Sequence, residues 1–229
     1  MSLHQNAWQL SGFWLNRQIR RSEVVRKCIS KDTTVLDIGC AEAFTTKYII
    51  EKAKTVVGIE LNFDNLRIAK EKVYEGHFIN GSIDFLPFKD NSFNAITILE
   101  VLEHLPKDLQ LRGMDETNRV LSHGGNLILS VPFKEKIQYT KCIHCNQETP
   151  LWGHLHSFDE KKISSLLPDG LFSLVESFEL PHIVYISCLS VFKFLPVQAW
   201  LKLNDLLGKM KFLRGYWIIL NYKKSAKLR

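Results

Sequence analysis

Apolar residues along the chain fall into short runs separated by amphipathic stretches, a pattern that predicts strands alternating with helices. Val35, Leu36 and Ile38 form the first run, a helix with Phe44, Tyr48, Ile49 and Ala53 turned inward follows, and Val56 to Ile59 makes the second strand. Asn62 is placed to cap a helix from Phe63 to Tyr74 whose stripe is Leu66, Ala69 and Val73. A short strand, His77 to Ile79, precedes a fourth from Phe93 to Leu99. Pro106 opens the next helix, because its missing N–H costs nothing in the first turn, and His123, Gly124 and Gly125 stop it. Asn126 to Val131 is the fifth strand, closed by Pro132. Ser157 and Glu160 have the spacing of a capping box for a helix that Pro168 terminates. A sixth strand runs near Phe172 to Leu180, and Tyr216 to Asn221 alternates like a last one.

Two stretches flank this repeat and one interrupts it. Asn6 to Ile29 is predicted as a helix with Trp8, Phe13, Trp14, Ile19, Val24 and Val25 on its apolar face, and Ile186 to Leu213 as one or two further helices. Phe133 to His156 is too long for a plain connection, which marks residues 133–157 as an insertion with a function of its own. With 229 residues and 45 % apolar content, residues 1–229 suit a single domain with ample core.

A formal charge of +6 is modestly basic and gathers at the ends, with Arg17, Arg20, Arg21, Arg26 and Lys27 in the first helix and Lys223, Lys224, Lys227 and Arg229 in the tail. Such runs are read as solvated faces. A nucleic-acid partner stays open but is not favoured, since no RNA-binding module with interleaved aromatics is visible. Cys28, Cys40 and Cys188 stand singly among the five cysteines in apolar or helical surroundings, which suits reduced thiols rather than a disulfide framework. No apolar run reaches membrane-spanning length and no signal-peptide pattern opens the sequence, so the expected setting is cytoplasmic. Nothing in the sequence addresses oligomeric state.

The chemistry concentrates in TVLDIGCAEAFTTKYIIEKAKTVVGIEL, residues 34–61. Gly39 permits a sharp turn where a ligand backs onto the chain, and Glu60 ends the second strand where a carboxylate accepts hydrogen bonds from both ribose hydroxyls. Asp37 precedes the turn. An anion there would repel the pyrophosphate of a dinucleotide but attract an ammonium or sulfonium group, which favours S-adenosylmethionine over NAD.

At these residues, and at GSIDFLPFKDNSFNAITILEVLEHL from Gly81 to Leu105, the chain resembles the class I S-adenosylmethionine-dependent methyltransferases, in the small-molecule branch near the ubiquinone and menaquinone enzymes. The resemblance implies a Rossmann-like α/β fold: a seven-stranded, mostly parallel sheet with helices on both faces, the last strand antiparallel, and residues 1–30 as a lid. It also implies a cofactor site in which Gly39 and Ala41 pass the methionine end, Leu61 packs on adenine, and Ser82 and Ile83 meet the adenine edge. The Leu99 carbonyl is then the expected partner of the cofactor's ammonium, with Glu100 beside it at the end of the fourth strand. The pattern departs at Ala41 and Ala43, where the family has glycines, and alanine adopts positive φ less readily.

On the acceptor side, His104 is the expected general base, since an imidazole titrates near working pH; packing at the start of the following helix is the other reading. No NPPY-like tetrapeptide follows the fourth strand, which argues against a base or amide nitrogen, and the lid aromatics with the apolar stretch around Val184 to Leu195 point to a small or lipid-like acceptor methylated at oxygen or carbon. An RNA methyltransferase and a non-catalytic scaffold that binds a partner are the alternatives. In the insertion, Cys142 and Cys145 form a CxxC followed by His154 and His156, a donor set suited to tetrahedral zinc.

Overall fold

The computed structural model describes residues 7–181, 195–196, 198–200, 202 and 215–226. Most of the helical expectation over Ile186 to Leu213, together with Cys188 and the Phe13 side chain, lies outside these. In chain order the helices are α1 (Gly12–Cys28), α2 (Phe44–Ile50), α3 (Phe63–Lys72), α4 (Lys107–Val120) and α5 (Glu160–Ser164). The strands are β1 (Thr34–Ile38), β2 (Thr55–Glu60), β3 (His77–Asn80), β4 (Phe93–Leu99), β5 (Leu121–Pro132), β6 (Tyr139–Lys141), β7 (Glu148–Pro150), β8 (Phe172–Pro181) and β9 (Gly215–Lys224).

Seven strands form one sheet in the order β3-β2-β1-β4-β5-β9-β8, and β6 and β7 pair separately as a hairpin. Neighbours from β3 to β5 run parallel, whereas β9 is antiparallel to both β5 and β8. The chain builds outward from β1 through β2 to β3, then crosses to β4 on the other side. That reversal opens a crevice at the carboxyl ends of β1 and β4.

The period-two alternation sorts side chains onto two faces. Leu36, Ile38, Ile96, Ile98, Leu127, Leu129, Ile218 and Leu220 face one way and pack with Met114 and Val120 of α4 and Ile163 of α5. Val35, Ala95, Leu99, Ile128 and Ile219 face the other way, against Val24, Val25 and Cys28 of α1 and Ile49 of α2. Helices therefore cover both faces, as a largely parallel sheet requires.

Several boundaries differ from those the sequence predicts. The N-terminal helix is broken into a 3₁₀ turn, Ala7–Gln9, and α1, with Ser11 in extended conformation between them. In α2 the buried positions are Thr45, Thr46 and Ile49, Thr46 turning in to Asp37 of β1 and Thr45 to Ser22 of α1, and Ala53 lies beyond the end of the helix. Helix α4 stops at Val120, and His123, Gly124 and Gly125 belong to a stretch of β5 where the register with β4 shifts. Asp159, not Ser157, caps α5, accepting from the Lys162 amide. The Asn62 cap forms as expected.

Of the basic residues of α1, Arg26 and Lys27 keep to the solvated side, whereas Arg17, Arg20 and Arg21 do not. Arg17 and Arg20 are buried, and the Arg17 guanidinium lies 3.5 Å from the Tyr216 ring centre and 3.8 Å from that of Trp217. Arg21 sits 4.6 Å over Trp217 and pairs with Glu100 at 3.5 Å. Such desolvated cation–π contacts contribute about 1–2 kcal/mol each. Arg17→Ala, which removes two of them, is therefore expected to lower the unfolding free energy by about 2–4 kcal/mol and to speed amide exchange selectively in α1. Exchange in α1 matching the parent protein would show that Val24 and Val25 suffice to dock the helix.

Candidate functional site

The turn after β1 is held by three left-handed residues. Gly39 has φ +72°, Ala41 +46° and Ala43 +63°. The amides of Gly39 and Cys40 both donate to the Ile59 carbonyl, at 2.8 and 3.2 Å, which ties the turn to β2. A Cβ on Gly39 would stand 2.4 Å from Val101 Cγ2, so glycine is needed there for space as well as for conformation. Ala41 and Ala43 adopt the same region despite their methyl groups, at a cost of about 1 kcal/mol each.

Three carboxylates surround this turn, and each is fixed by donors. Asp37 is buried; Thr46 of α2 donates to its Oδ2 at 2.6 Å and Thr97 of β4 to its Oδ1 at 2.7 Å. Burial pushes the Asp37 carboxyl above its usual range, and the two hydroxyls and the charge of Arg21 oppose that shift. Glu60 accepts from the Ala41 amide at 3.0 Å and the Asn62 amide at 2.8 Å, so both oxygens are aimed before any ligand arrives. Glu100, itself at φ +56°, accepts from the Ser130 hydroxyl at 2.7 Å.

A cleft of about 720 Å³ opens over these ends, a volume sufficient for a nucleoside cofactor and a small acceptor. Of the residues singled out from the sequence, Gly39, Ala41, Glu60, Leu61, Ser82, Ile83, Glu100 and His104 line it. Asp37 and Leu99 stand behind the lining, Leu99 packing into the core. Ser82 donates to Asp84, a residue the sequence reading passed over, and Arg112 faces the same carboxylate at 3.6 Å. The N-terminal segment forms one wall. The Trp8 indole N–H donates to the Glu42 carbonyl at 2.7 Å, its ring meets Phe44 edge-on, and Ala7, Gln18 and Arg21 line the cleft. Thus an adenosyl group fits: a backbone turn without bulk at its centre, a preset carboxylate at the end of β2, and an apolar flank at Ile38, Ile59, Leu61 and Ile83.

The insertion does not assemble the predicted zinc quartet. Cys142 and Cys145 lie in the tip between β6 and β7, beside Ile143, which is 92 % exposed. His156 instead packs toward Phe158. Among the described residues no three of Cys142, Cys145, His154 and His156 share ligand distance; the group that does is Glu103, His104 and His154. The irregular stretch after β7 brings His154 there, since the Leu155 and His156 amides both donate to the Glu103 carbonyl. Glu103 was missed from sequence although it neighbours His104. Only folding shows that it is 1 % exposed and that neither carboxylate oxygen has a hydrogen-bond partner. Burial, then the charges of Glu100 and Glu135, holds its carboxyl well above the usual range, against the pull of Arg21.

Residues 36–129 match the methyltransferase domain family. A probable S-adenosylmethionine-dependent methyltransferase of Mycolicibacterium smegmatis is 25 % identical over 173 residues, 73 % of this chain and 63 % of that protein. Demethylmenaquinone methyltransferase of Listeria welshimeri is 32 % identical over 123 residues, 50 % of this chain and 51 % of that one. The chain thus spans less than two thirds of these relatives' length. Among solved structures, the [4+2]-cyclase SpnF superposes with a TM-score of 0.66 at 17 % identity, covering 98 % of this chain and 89 % of that one. Residues 36–129 are thus the part of the chain that is similar to methyltransferase domains, and the sheet order with helices on both faces is that of a Rossmann-like methyltransferase fold.

The left-handed alanines make one stability expectation direct. Ala43→Gly should raise the unfolding free energy by about 0.5–1 kcal/mol, seen as an upward shift of a few degrees in Tm by circular dichroism. A lowered Tm would mean that the buried Ala43 methyl contributes more through packing than its φ costs.

Proposed function

We propose that the chain transfers the methyl group of S-adenosylmethionine to oxygen or carbon of a small or lipid-like acceptor, in the cytoplasm. One observation carries the reading: the Glu60 carboxylate, preset by two backbone amides, and the Glu103, His104 and His154 group line the same cleft. The matched domain and the demethylmenaquinone methyltransferase relative support a small-molecule acceptor.

S-adenosylmethionine, when bound, supplies an electrophilic methyl group, so the residues need mainly to align and desolvate the reactants. Glu60 takes the ribose hydroxyls, Leu61 covers the adenine, and Ser82 and Ile83 meet its edge. The backbone from Gly39 to Ala41 lies along the methionine end. Asp37 acts from behind through its field, while Glu100, at the cleft wall, would receive the ammonium in place of the expected Leu99 carbonyl. The N-terminal segment and the end of the insertion, which both line the cleft, exclude water from it. His104 belongs to a group of three that faces the acceptor, and activation of the acceptor is assigned to that group rather than to His104 alone.

Calorimetry on the purified chain should show binding of S-adenosylmethionine and its demethylated product, but not of NAD. Glu60→Ala should weaken that binding by roughly tenfold, through loss of two charge-assisted hydrogen bonds. An unchanged affinity would remove the ribose from β2, and no binding by the parent protein would overturn the reading as a whole.

With a methyl acceptor found by screening with labelled cofactor, His104→Ala should lower turnover by about 10²-fold and leave cofactor affinity intact. Turnover equal to that of the parent would take the acceptor away from this wall.

A further inference from the structure

We propose that Glu103, His104 and His154 hold a divalent metal ion of the first transition row on the acceptor side of the cleft. Two imidazoles and one carboxylate are a donor set that such ions take while keeping coordination positions open for a further ligand. One ligand atom from each residue lies within 4.8 Å of the others. Metal bonds of about 2.1 Å need only small side-chain adjustments to close that spacing.

Three features of the surroundings belong to a metal site and not to a chance cluster. Glu103 is almost wholly buried, yet both its oxygens lack a hydrogen-bond partner, and the nearby Arg21 makes no hydrogen bond to it. A buried carboxyl in that condition either keeps its proton or takes a cation, and the two imidazoles beside it supply the further ligands a cation needs. His154 is held through Nδ1 by Glu135 Oε2, which orients the ring and directs Nε2 as the coordinating nitrogen. His104 donates from Nδ1 to the Gly153 carbonyl at 3.2 Å, the same carbonyl or carboxylate support that metal-bound histidines receive. The two rings meet edge to face with centres 4.8 Å apart.

The ligands come from two parts of the chain. Glu103 and His104 lie in the 3₁₀ turn after β4, whereas His154 is delivered by the insertion through the Leu155 and His156 amides on the Glu103 carbonyl. An ion there would clamp the insertion onto the cleft wall. It would also present open positions to an acceptor oxygen and favour its ionised form; this last role, unlike the site itself, rests on the methyl-transfer reading.

Chelator-stripped full-length protein titrated with Co²⁺ should take up one equivalent and develop visible absorption bands. Glu103→Gln and His154→Ala should each weaken Co²⁺ binding by tenfold or more, and Glu135→Gln by about tenfold through loss of ring support. Cys142→Ser/Cys145→Ser should leave it unchanged. Near-ultraviolet circular dichroism and calorimetry with S-adenosylmethionine on the same samples report folding and the cofactor site independently. Folded protein that takes up no Co²⁺ overturns the proposal, as does Co²⁺ binding that survives Glu103→Gln and His154→Ala or disappears with the cysteines. Co²⁺ binding without cofactor binding would sustain the metal site and overturn only the methyl-transfer reading.

Discussion

Burying the Asp37 carboxylate between strands demands hydrogen-bond donors, and the rest of the cleft is arranged around the two that meet this demand. Thr46 comes from α2 and Thr97 from β4, so a single side chain joins the first strand to the helix above it and to the strand beside it. Fixing α2 in this way fixes the turn that leads into it. The turn in turn donates the Ala41 amide to Glu60, and the second carboxylate acquires its orientation from the first.

Much of this was legible in the sequence because it depends on local rules. Alternation at Leu36, Ile38, Ile96, Ile98, Leu127 and Leu129 sorts the strands onto two faces, and Asn62 announces its helix by its own side chain. Gly39 and Glu60 could be placed from spacing alone, since both sit at strand ends that the apolar runs define. What stayed hidden depends on partners remote in sequence. Thr46 looks like a solvent-facing helix residue until a buried carboxylate 9 residues earlier requires it. Arg17 looks solvated until Tyr216 and Trp217 sandwich it. The capping residue of α5 was misread because Ser157 and Asp159 are both able caps, and tertiary packing chose the second.

The insertion shows the same division more sharply. Its cysteines and histidines suggested one cluster by proximity along the chain, but hairpin geometry sends Cys142 and Cys145 outward at the tip and brings His154 back to the sheet. The backbone hydrogen bonds to the Glu103 carbonyl decide which end of the insertion meets the cleft, and main-chain carbonyls leave no mark in a sequence.

The indole of Trp8 rests on the Glu42 carbonyl, between two left-handed alanines, while α1 is anchored separately through Arg17 to β9. Between them Ser11 is extended and makes no side-chain cap, so the chain is jointed there. Swinging the first turn away from the cleft breaks the hydrogen bonds of the Trp8 indole and the Ala7 amide to Glu42 and the contacts of the Trp8 ring, and leaves the sheet strands in place. The wall that the first turn gives the cleft and the anchorage of α1 on the sheet therefore rest on different residues, and selection can adjust either without disturbing the other.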